Sequence, residues 1–571
     1  MLVSLPSKNK EFKYFFQRFE NGRCIAPHLP RITTEESVKQ FKERDEGLRV
    51  LLINPPCRIW AYPNIHPLGM SLISSVIVMD GHKLEILDLN GEREVPIPED
   101  NQEEFYKKIK LRLNQKILEV NPDVIGIGGI ISQYKDVKDL IKVCKEVNSR
   151  IPVILGGGLA TAIPELTSKK IGADILCVYE GELTISDLLY RLEKKLPLDN
   201  CQGIWFKKDN DEIINNGVRP SVEDGKDGLD YLPWPLYSKW LPDIYRKNPV
   251  GFLNIKNKWK NGAPDENTPY SMSMIASRSC PYFCRYCFRD YLSKKYRVRS
   301  PIEIVDEMEY LKKRYQVEYI HMLDDLFLVD VYWGREIFDE LEKRKIETGF
   351  NIQIGFTGRA NIIYDDMIKS RKKGIPNILE RGKEVGVVNV NFGIESLSDV
   401  VLKDIGKSGQ TKHKAIEALK ETKRVYDIID PSIMFGARSE TRETIIETVE
   451  AAKENNLDIQ VVFFLTCYPH TAFWDYAVKE GIISKSITGK KDPITDDIIE
   501  QYLLRLGEQG DKISTNLSQI PDEELEELAN WAIQEMSAGN KEKNTFVHPH
   551  TGDVQIKKIE RKAKNATFAD L

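Results

Sequence analysis

The sequence predicts an α/β protein built in three parts: an N-terminal doubly wound, Rossmann-like domain, a partial (β/α)6 barrel, and a mostly helical C-terminal domain. Three observations carry that prediction. Two separate series of short apolar segments alternate with stretches of helical periodicity. The first series ends its strands in glycine-rich loops, where open α/β sheets bind ligands. The second series opens on a strand followed directly by three closely spaced cysteines.

Residues 1–47 are charged and weakly patterned, an extension with some helical character. The first series then spans 48–199. LRVLLINPP (48–56) reads as a buried strand, GMSLISSVIVMDG (69–81) as an apolar helix ending at Gly81, and HKLEILDLN (82–90) as a second strand. PDVIGIGGI (122–130), IPVILGGG (151–158) and GADILCVYEGE (172–182) supply three more strands, with helices over 134–147 and 183–194. Such alternation indicates a parallel sheet.

Residues 200–270, rich in proline and aromatics around DYLPWPLYSKWLPDIY, read as an ordered connector. The second series covers 271–475. Its strands are expected at 271–280, 317–325, 350–359, 387–396, 429–438 and 459–469, with helices at 301–314, 411–426 and 441–455. Six units are too few for the closed eight-unit barrel, so a partial barrel is expected, with its chemistry at the carboxyl ends of the strands. Residues 476–571 are charged and mostly helical, and are expected to cover the barrel mouth.

Composition limits the function classes. The chain has 571 residues, a net charge of -5 and 41% hydrophobic residues, an ordinary globular balance. No clustered positive charge calls for a nucleic-acid partner. No run of about 18 apolar residues predicts a membrane span, and the N-terminus lacks a secretory pattern, so a cytoplasmic location is expected. Nine cysteines, six of them scattered, fit a reducing compartment without disulfides.

The strongest motif is SRSCPYFCRYCF, which spaces Cys280, Cys284 and Cys287 as C-x3-C-x2-C. Three thiolates can hold three irons of a [4Fe–4S] cube and leave the fourth open to a substrate. Zinc prefers four ligands, usually as two separated pairs, and no fourth ligand is suitably spaced.

This spacing, with Tyr286 before the last cysteine, resembles the signature of the radical SAM superfamily, and the likeness extends over about 200 residues. It implies that the open iron is chelated by S-adenosylmethionine, which is cleaved to a 5′-deoxyadenosyl radical after electron delivery by a donor such as ferredoxin or flavodoxin. Asp324, Asp325 and Phe327 match the family's D-D-x-F pattern, and Arg359 follows the third strand. Gly393, Glu395 and Ser396 match its G-x-E-S element near the bound cofactor. FGARSETRETI (435–445) and CYPHTAFWDYA resemble later elements, with Ala437, Arg438, Ser439 and His470 departing from the common form. Cys467, at the end of the sixth strand, is either a hydrogen donor or a buried bystander.

The front domain resembles the cobalamin-binding domains attached to radical SAM enzymes, over about 48–195. HPLGMSLISSVI, GGGLATAIPE (156–165) and YEGE (179–182) match that family's motifs. The resemblance implies that Gly126, Gly128, Gly129, Gly156, Gly157 and Gly181, with Glu182, line the pocket for the corrin and its nucleotide tail. Other B12 domains carry D-x-H-x-x-G with histidine as lower cobalt ligand. Here Asn64-x-His66-x-x-Gly69 makes His66 a candidate, with Trp60, Arg58 and Tyr62 as competing occupants of the lower face.

Together the two resemblances imply methylation of an unactivated carbon or phosphorus centre, using methylcobalamin and the deoxyadenosyl radical. The substrate is left open among a lipid, a natural product and a peptide residue. The alternative is a non-methylating cyclase or oxidase acting on a lipid, tetrapyrrole or natural product. Methylthiolation is disfavoured, because only Cys467 follows the triplet and no second cysteine cluster exists. A cobalamin carrier or sensor would not need the triplet.

Overall fold

The computed structural model describes residues 14–24, 44–59, 62–93, 97, 99–208, 210–222, 229–248, 269–289, 295–426, 429–459, 461–506, 513–537, 546–547 and 554–555. The front domain is built on β1 (Arg49–Asn54), β2 (Lys83–Asp88), β3 (Val124–Gly128), β4 (Val153–Gly156) and β5 (Ile175–Cys177). These pair in parallel in the order β2-β1-β3-β4-β5. The strands are short, apolar and almost wholly buried, as a sheet covered on both faces requires. The order reverses between β1 and β3, so their carboxyl ends open a crevice.

Two further strands correct the expected boundary at 199. β6 (Ile204–Lys207) adds antiparallel to β5, and β7 (Ile213–Asn215) adds antiparallel to β6, so the sheet has seven strands and reaches into the segment read as connector. The rest of that segment is ordered by specific bonds. Trp240 is fully buried and donates from Nε1 to Ser74 Oγ at 2.9 Å, while Ser75 Oγ donates to the Trp234 carbonyl at 2.6 Å. The serines of the helix Leu68–Met79 thus dock the connector rather than meet solvent.

The second sheet is β8 (Ser271–Met274), β9 (Tyr319–Met322), β10 (Gln353–Gly358), β11 (Val387–Glu395), β12 (Asp430–Phe435) and β13 (Val461–Phe464). All six pair in parallel and in chain order, the expected half-barrel. Six of its helices start at side-chain caps that satisfy free backbone N–H groups: Ser300, Asp330, Asn377, Thr411, Thr441 and Thr471. Gly349 and Gly386 stop two of these, and Gly374 stops the helix Ala360–Lys373.

The C-terminal region braces the other two parts instead of standing as a separate lid. The helix Ala472–Lys479 runs across the expected boundary at 476. In the helix Asp496–Arg505, Glu500 accepts a 3.1 Å bond from Tyr134 Oη and pairs with Lys138 of the front domain. Lys169 and Lys170 pair with Asp496 and Asp497 at 2.9 and 2.7 Å. The helix Asp522–Met536 instead joins the barrel core and pairs with the helix Arg442–Glu454 through Arg442–Glu524 and Lys453–Glu535. One apolar cluster runs from Ile127, Leu155 and Leu159 of the front sheet to Ala437, Leu465 and Phe473 of the barrel loops. The two sheets are therefore held with their loop ends in contact. Among the described residues no helix is long and apolar enough to cross a membrane.

Candidate functional site between the two sheets

The cysteine loop follows β8. It is stitched into the barrel at three places. Arg285 N–H donates to the Ile405 carbonyl at 2.9 Å, and the Arg285 carbonyl accepts from Phe473 N–H at 3.0 Å. Arg285 also donates from Nη1 to the Asp404 carbonyl at 2.6 Å. Gly406 lies beneath the loop at φ +71°, and a Cβ there would come 3.1 Å from the Phe283 carbonyl oxygen. Only glycine takes that conformation and that approach together without strain.

Within the loop Cys284 is buried, Cys280 half-buried and Cys287 exposed. Cys287 N–H donates to the Cys284 carbonyl at 3.2 Å, a tight turn between these two cysteines. Burial, with Asp325 and Cys284, raises the half-buried Cys280 thiol. Among the described residues no three His, Cys, Asp or Glu side chains gather tightly enough for one metal ion. A cube that takes one thiolate at each of three separate irons needs a wider spread, so the donor set fits a [4Fe–4S] cluster.

Two tyrosines tie this loop to neighbouring strand ends. Arg359, just after β10, lies over the Tyr282 ring at 3.7 Å and points Nη1 to Cys284 Sγ at 3.6 Å. It is held by Asn361 Oδ1 at 2.7 Å and the Ser408 carbonyl at 2.8 Å. Tyr286 Oη donates to Glu395 Oε1 at 2.9 Å, and Lys407 pairs with the same oxygen at 2.8 Å. Glu395 sits at φ +69°, beside a break in strand register, and Gly393 leaves room for its carboxylate to fold back. Asp325 is exposed at the end of β9, beside the cysteines, whereas Asp324 is buried and accepts from Ala276 N–H at 3.1 Å and from the Ser277 hydroxyl.

Some expected residues serve other ends. Ser396 is fully buried, its hydroxyl 3.2 Å from Thr448 Oγ1 and accepting from Ser398 N–H at 3.1 Å, so it shapes the turn after β11. Cys467 is fully buried beside Trp474 and Tyr502, and burial pushes its thiol up to about 12, the bystander outcome.

On the front domain, Gly128, Gly156, Gly157 and Gly181 form a floor of bare backbone at the carboxyl ends of β3 and β4 and after β5. Gly157 adopts φ +89°, and a Cβ there would meet the Gly129 carbonyl at 2.7 Å. Cβ atoms at Gly128 and Gly181 would press on Met70 at 2.6 Å and Ile73 at 3.0 Å, whereas Gly156 meets nothing nearer than 4.0 Å. All four glycines are at least partly exposed, so backbone here can approach a flat group closely, and the residues present fit a corrinoid. Gly126 differs: it is buried, and a Cβ would strike Leu52 at 2.6 Å, so it serves sheet packing. His66 is 2% exposed, with its ring 5.1 Å from Tyr237 and 5.5 Å from Tyr245. It packs in the seam with the connector and would have to leave that seam to reach a cobalt. Trp60 lies outside the described residues. Glu182 pairs with Arg278 of the barrel. The two parts of the site meet where a Cβ on Gly158 would lie 3.3 Å from the ring of Phe288, the residue after Cys287.

A three-thiol loop at the mouth of a six-stranded half-barrel, facing a glycine-floored doubly wound sheet, defines a two-cofactor radical enzyme. The radical SAM superfamily model matches residues 274–435 and the B12 binding domain model matches 59–189. The chain is a cobalamin-dependent radical SAM enzyme, whose cofactors are a [4Fe–4S] cluster, S-adenosylmethionine and cobalamin. It is 27% identical over 442 residues to an uncharacterized methyltransferase of Pyrococcus horikoshii, covering 76% of this chain and 84% of that protein. It is 25% identical to the cytidylyl-2-hydroxyethylphosphonate methyltransferase of Streptomyces wedmorensis, over 71% of this chain and 77% of the relative. It is 24% identical to the anaerobic magnesium-protoporphyrin IX monomethyl ester cyclase of Rubrivivax gelatinosus, over 71% and 67%. Its fold matches the radical S-adenosylmethionine methyltransferase TsrM of Kitasatospora setae, solved with cobalamin and a [4Fe-4S] cluster bound. That match has a TM-score of 0.56 at 18% identity and covers 76% of this chain and 78% of TsrM.

Sequence reasoning missed Lys407 and the carboxylate–guanidinium contacts between the two domains. Lys407 carries no local signal. The contacts join residues about a hundred positions apart, so only the folded chain brings them together.

Proposed function

We propose that the enzyme transfers a methyl group from cobalamin to an unactivated carbon or phosphorus centre, after hydrogen abstraction from a substrate bound between the two sheets. The observation that carries this reading is the contact of the cysteine loop with the glycine floor at Phe288 and Gly158, which brings the two cofactor sites to one cleft. When bound, the cluster and S-adenosylmethionine supply a 5′-deoxyadenosyl radical and cobalamin supplies the methyl group.

The chain's own residues position and enclose this chemistry. Cys280, Cys284 and Cys287 hold three irons. Arg359 lies over the Tyr282 ring and donates toward the Cys284 sulfur, so it positions both. Glu395, oriented by Tyr286 and Lys407, offers its carboxylate to the S-adenosylmethionine side of the site. Asp325 stands at the next strand end. The apolar cluster around Leu159, Leu465 and Phe473 keeps water from one flank of the cleft. An electron donor of the ferredoxin or flavodoxin type would supply the electron that this chemistry needs. The substrate falls in the class of lipids, natural products or peptide residues.

The relatives named as cyclases support a second reading, in which the same radical leads to ring formation without methyl transfer. A single-turnover experiment separates the two. Reduced, cobalamin-loaded enzyme is mixed with methyl-labelled S-adenosylmethionine and no substrate. Label recovered with the corrinoid fraction, alongside S-adenosylhomocysteine, supports methyl transfer. An unlabelled corrinoid beside freshly formed 5′-deoxyadenosine supports the cyclase.

A further inference from the structure

The cysteine loop is bracketed by a short antiparallel ribbon, Ser277–Arg278 against Arg297–Val298. In that ribbon Arg278 and Arg297 are direct cross-strand partners. Like charges placed opposite one another destabilise a ribbon, and two residues per strand are too few to hold it alone. The ribbon therefore needs two anions from elsewhere.

The front domain provides them. Arg297, its side chain 2% exposed, pairs with Glu180 through both guanidinium nitrogens, one at 3.1 Å. Arg278 pairs with Glu182 and reaches Glu180 Oε2 at 3.4 Å. The side chains of Glu180 and Glu182 are 14% and 6% exposed. The network closes on itself. Arg297 Nη1 donates to the Val222 carbonyl at 2.8 Å, Val222 N–H donates to Glu180 at 3.3 Å, and Arg297 Nη2 donates to Ser279 Oγ at 3.4 Å. Ser279 is itself at φ +75° and directly precedes Cys280. Although burial opposes ionisation, Arg278 and Arg297 hold the Glu180 carboxyl below the usual carboxylate range.

The acidic pair is built into the turn after β5. Tyr179 adopts φ +63° and its N–H donates to Thr161 Oγ1 at 2.8 Å. Gly181, between the two glutamates, lies in the glycine-rich turn after β5, where a Cβ would meet Ile73 at 3.0 Å. One tetrapeptide, Tyr179–Glu182, thus belongs to the glycine-rich edge of the front sheet and sends its carboxylates to the cysteine loop.

We propose that Glu180 and Glu182 are positioning residues for the iron–sulfur loop: by neutralising the Arg278–Arg297 pair they close the mouth of the loop and set it against the cobalamin-binding turn. This rests on the cofactor set and not on methyl transfer, so it stands whether the enzyme methylates or cyclises. Neither glutamate touches a reacting atom. With the carboxylates removed, two like-charged guanidinium groups stand opposite each other without the anions that neutralise them, an unfavourable arrangement that loosens the ribbon.

The test uses the full-length holoenzyme, reconstituted anaerobically with iron, sulfide and hydroxocobalamin. Glu180→Gln, Glu182→Gln and the double variant are compared with wild type by three readouts. These are the rate of cluster loss to a chelator, the cluster's electron paramagnetic resonance signal with and without S-adenosylmethionine, and the dissociation constant for hydroxocobalamin. The double variant should lose its cluster about tenfold faster and show an altered S-adenosylmethionine-induced signal, with cobalamin affinity changed about twofold or less. Glu180→Asp, which keeps the charge, should recover most of the wild-type behaviour. The charge-reversed pair Glu180→Arg with Arg297→Glu should retain its cluster better than Glu180→Arg alone, and it serves as the test if the double variant does not fold. Wild-type cluster lifetime and signal in a folded double variant would overturn the proposal. So would a charge-reversed pair no better than its single parent.

Discussion

Tyr286 Oη donates a 2.9 Å hydrogen bond to Glu395 Oε1, joining the cysteine loop to the end of the fourth barrel strand. Burial, followed by the field of Glu395, raises the phenol well above its ordinary value, so it remains a donor. Glu395 is thereby aimed from two sides, since Lys407 pairs with the same oxygen. Tyr286→Phe removes one side and keeps the ring. Cluster content should be unchanged, while the dissociation constant for S-adenosylmethionine rises about tenfold. Equilibrium dialysis on the reconstituted enzyme measures it, and an unchanged constant would remove Glu395 from the binding site.

Arg359 stacks on Tyr282 and reaches Asn361, Ser408 and Cys284 at once. Lysine keeps the charge and loses the planar fork. Arg359→Lys should assemble the cluster in lower yield and weaken the loop's anchoring by about 1–2 kcal/mol. Iron and sulfide content per chain after reconstitution is the measurement.

Gly406→Ala places a Cβ 3.1 Å from the Phe283 carbonyl at a φ of +71°. The cost should be about 1–2 kcal/mol, seen as a lower thermal midpoint together with faster cluster bleaching. Gly374→Ala carries a similar φ of +66° but meets no atom within 4 Å, so it should lower the midpoint and spare the cluster.

Glu440 is fully buried below β12 and accepts from the N–H groups of Gly436 and Ala437 at 2.7 and 3.3 Å. Burial raises its carboxyl to about 8, despite these two bonds. The folded state therefore binds a proton that the unfolded chain releases near its ordinary value of about 4.5. The stability contributed is full below that value and is lost as pH rises through about 8. Glu440→Gln keeps an acceptor and cannot ionise. Its thermal midpoint should fall less than that of wild type between pH 5 and pH 8. Parallel curves for the two proteins would contradict this.

The strands were legible because their signal is local. Each apolar run of the two series became a strand within a few residues, from Arg49–Asn54 to Val461–Phe464. The cysteine spacing was equally plain. β6 and β7 were hidden because Ile204–Lys207 and Ile213–Asn215 are short, and each is fixed by pairing, β6 with β5 and β7 with β6. Asn64-x-His66 read as a ligand motif, yet the imidazole is drawn inward by Tyr237 and Tyr245, more than 170 residues away. Asp324 and Asp325 were adjacent in a single motif, and the loop after β9 turns Asp324 into the interior and leaves Asp325 exposed. The partners of the Glu180 and Glu182 carboxylates, Arg297 and Arg278, are on another domain, so no local pattern could name them.

The central claim is that one cleft houses both a radical-generating cluster and a methyl-carrying cobalamin. The most direct test is anaerobic. The reconstituted enzyme is given hydroxocobalamin, S-adenosylmethionine and a strong reductant, and 5′-deoxyadenosine and S-adenosylhomocysteine are quantified by mass spectrometry. The account predicts both products, the second dependent on cobalamin and the first abolished by Cys284→Ala. Neither product from an enzyme with a well-formed cluster would contradict it.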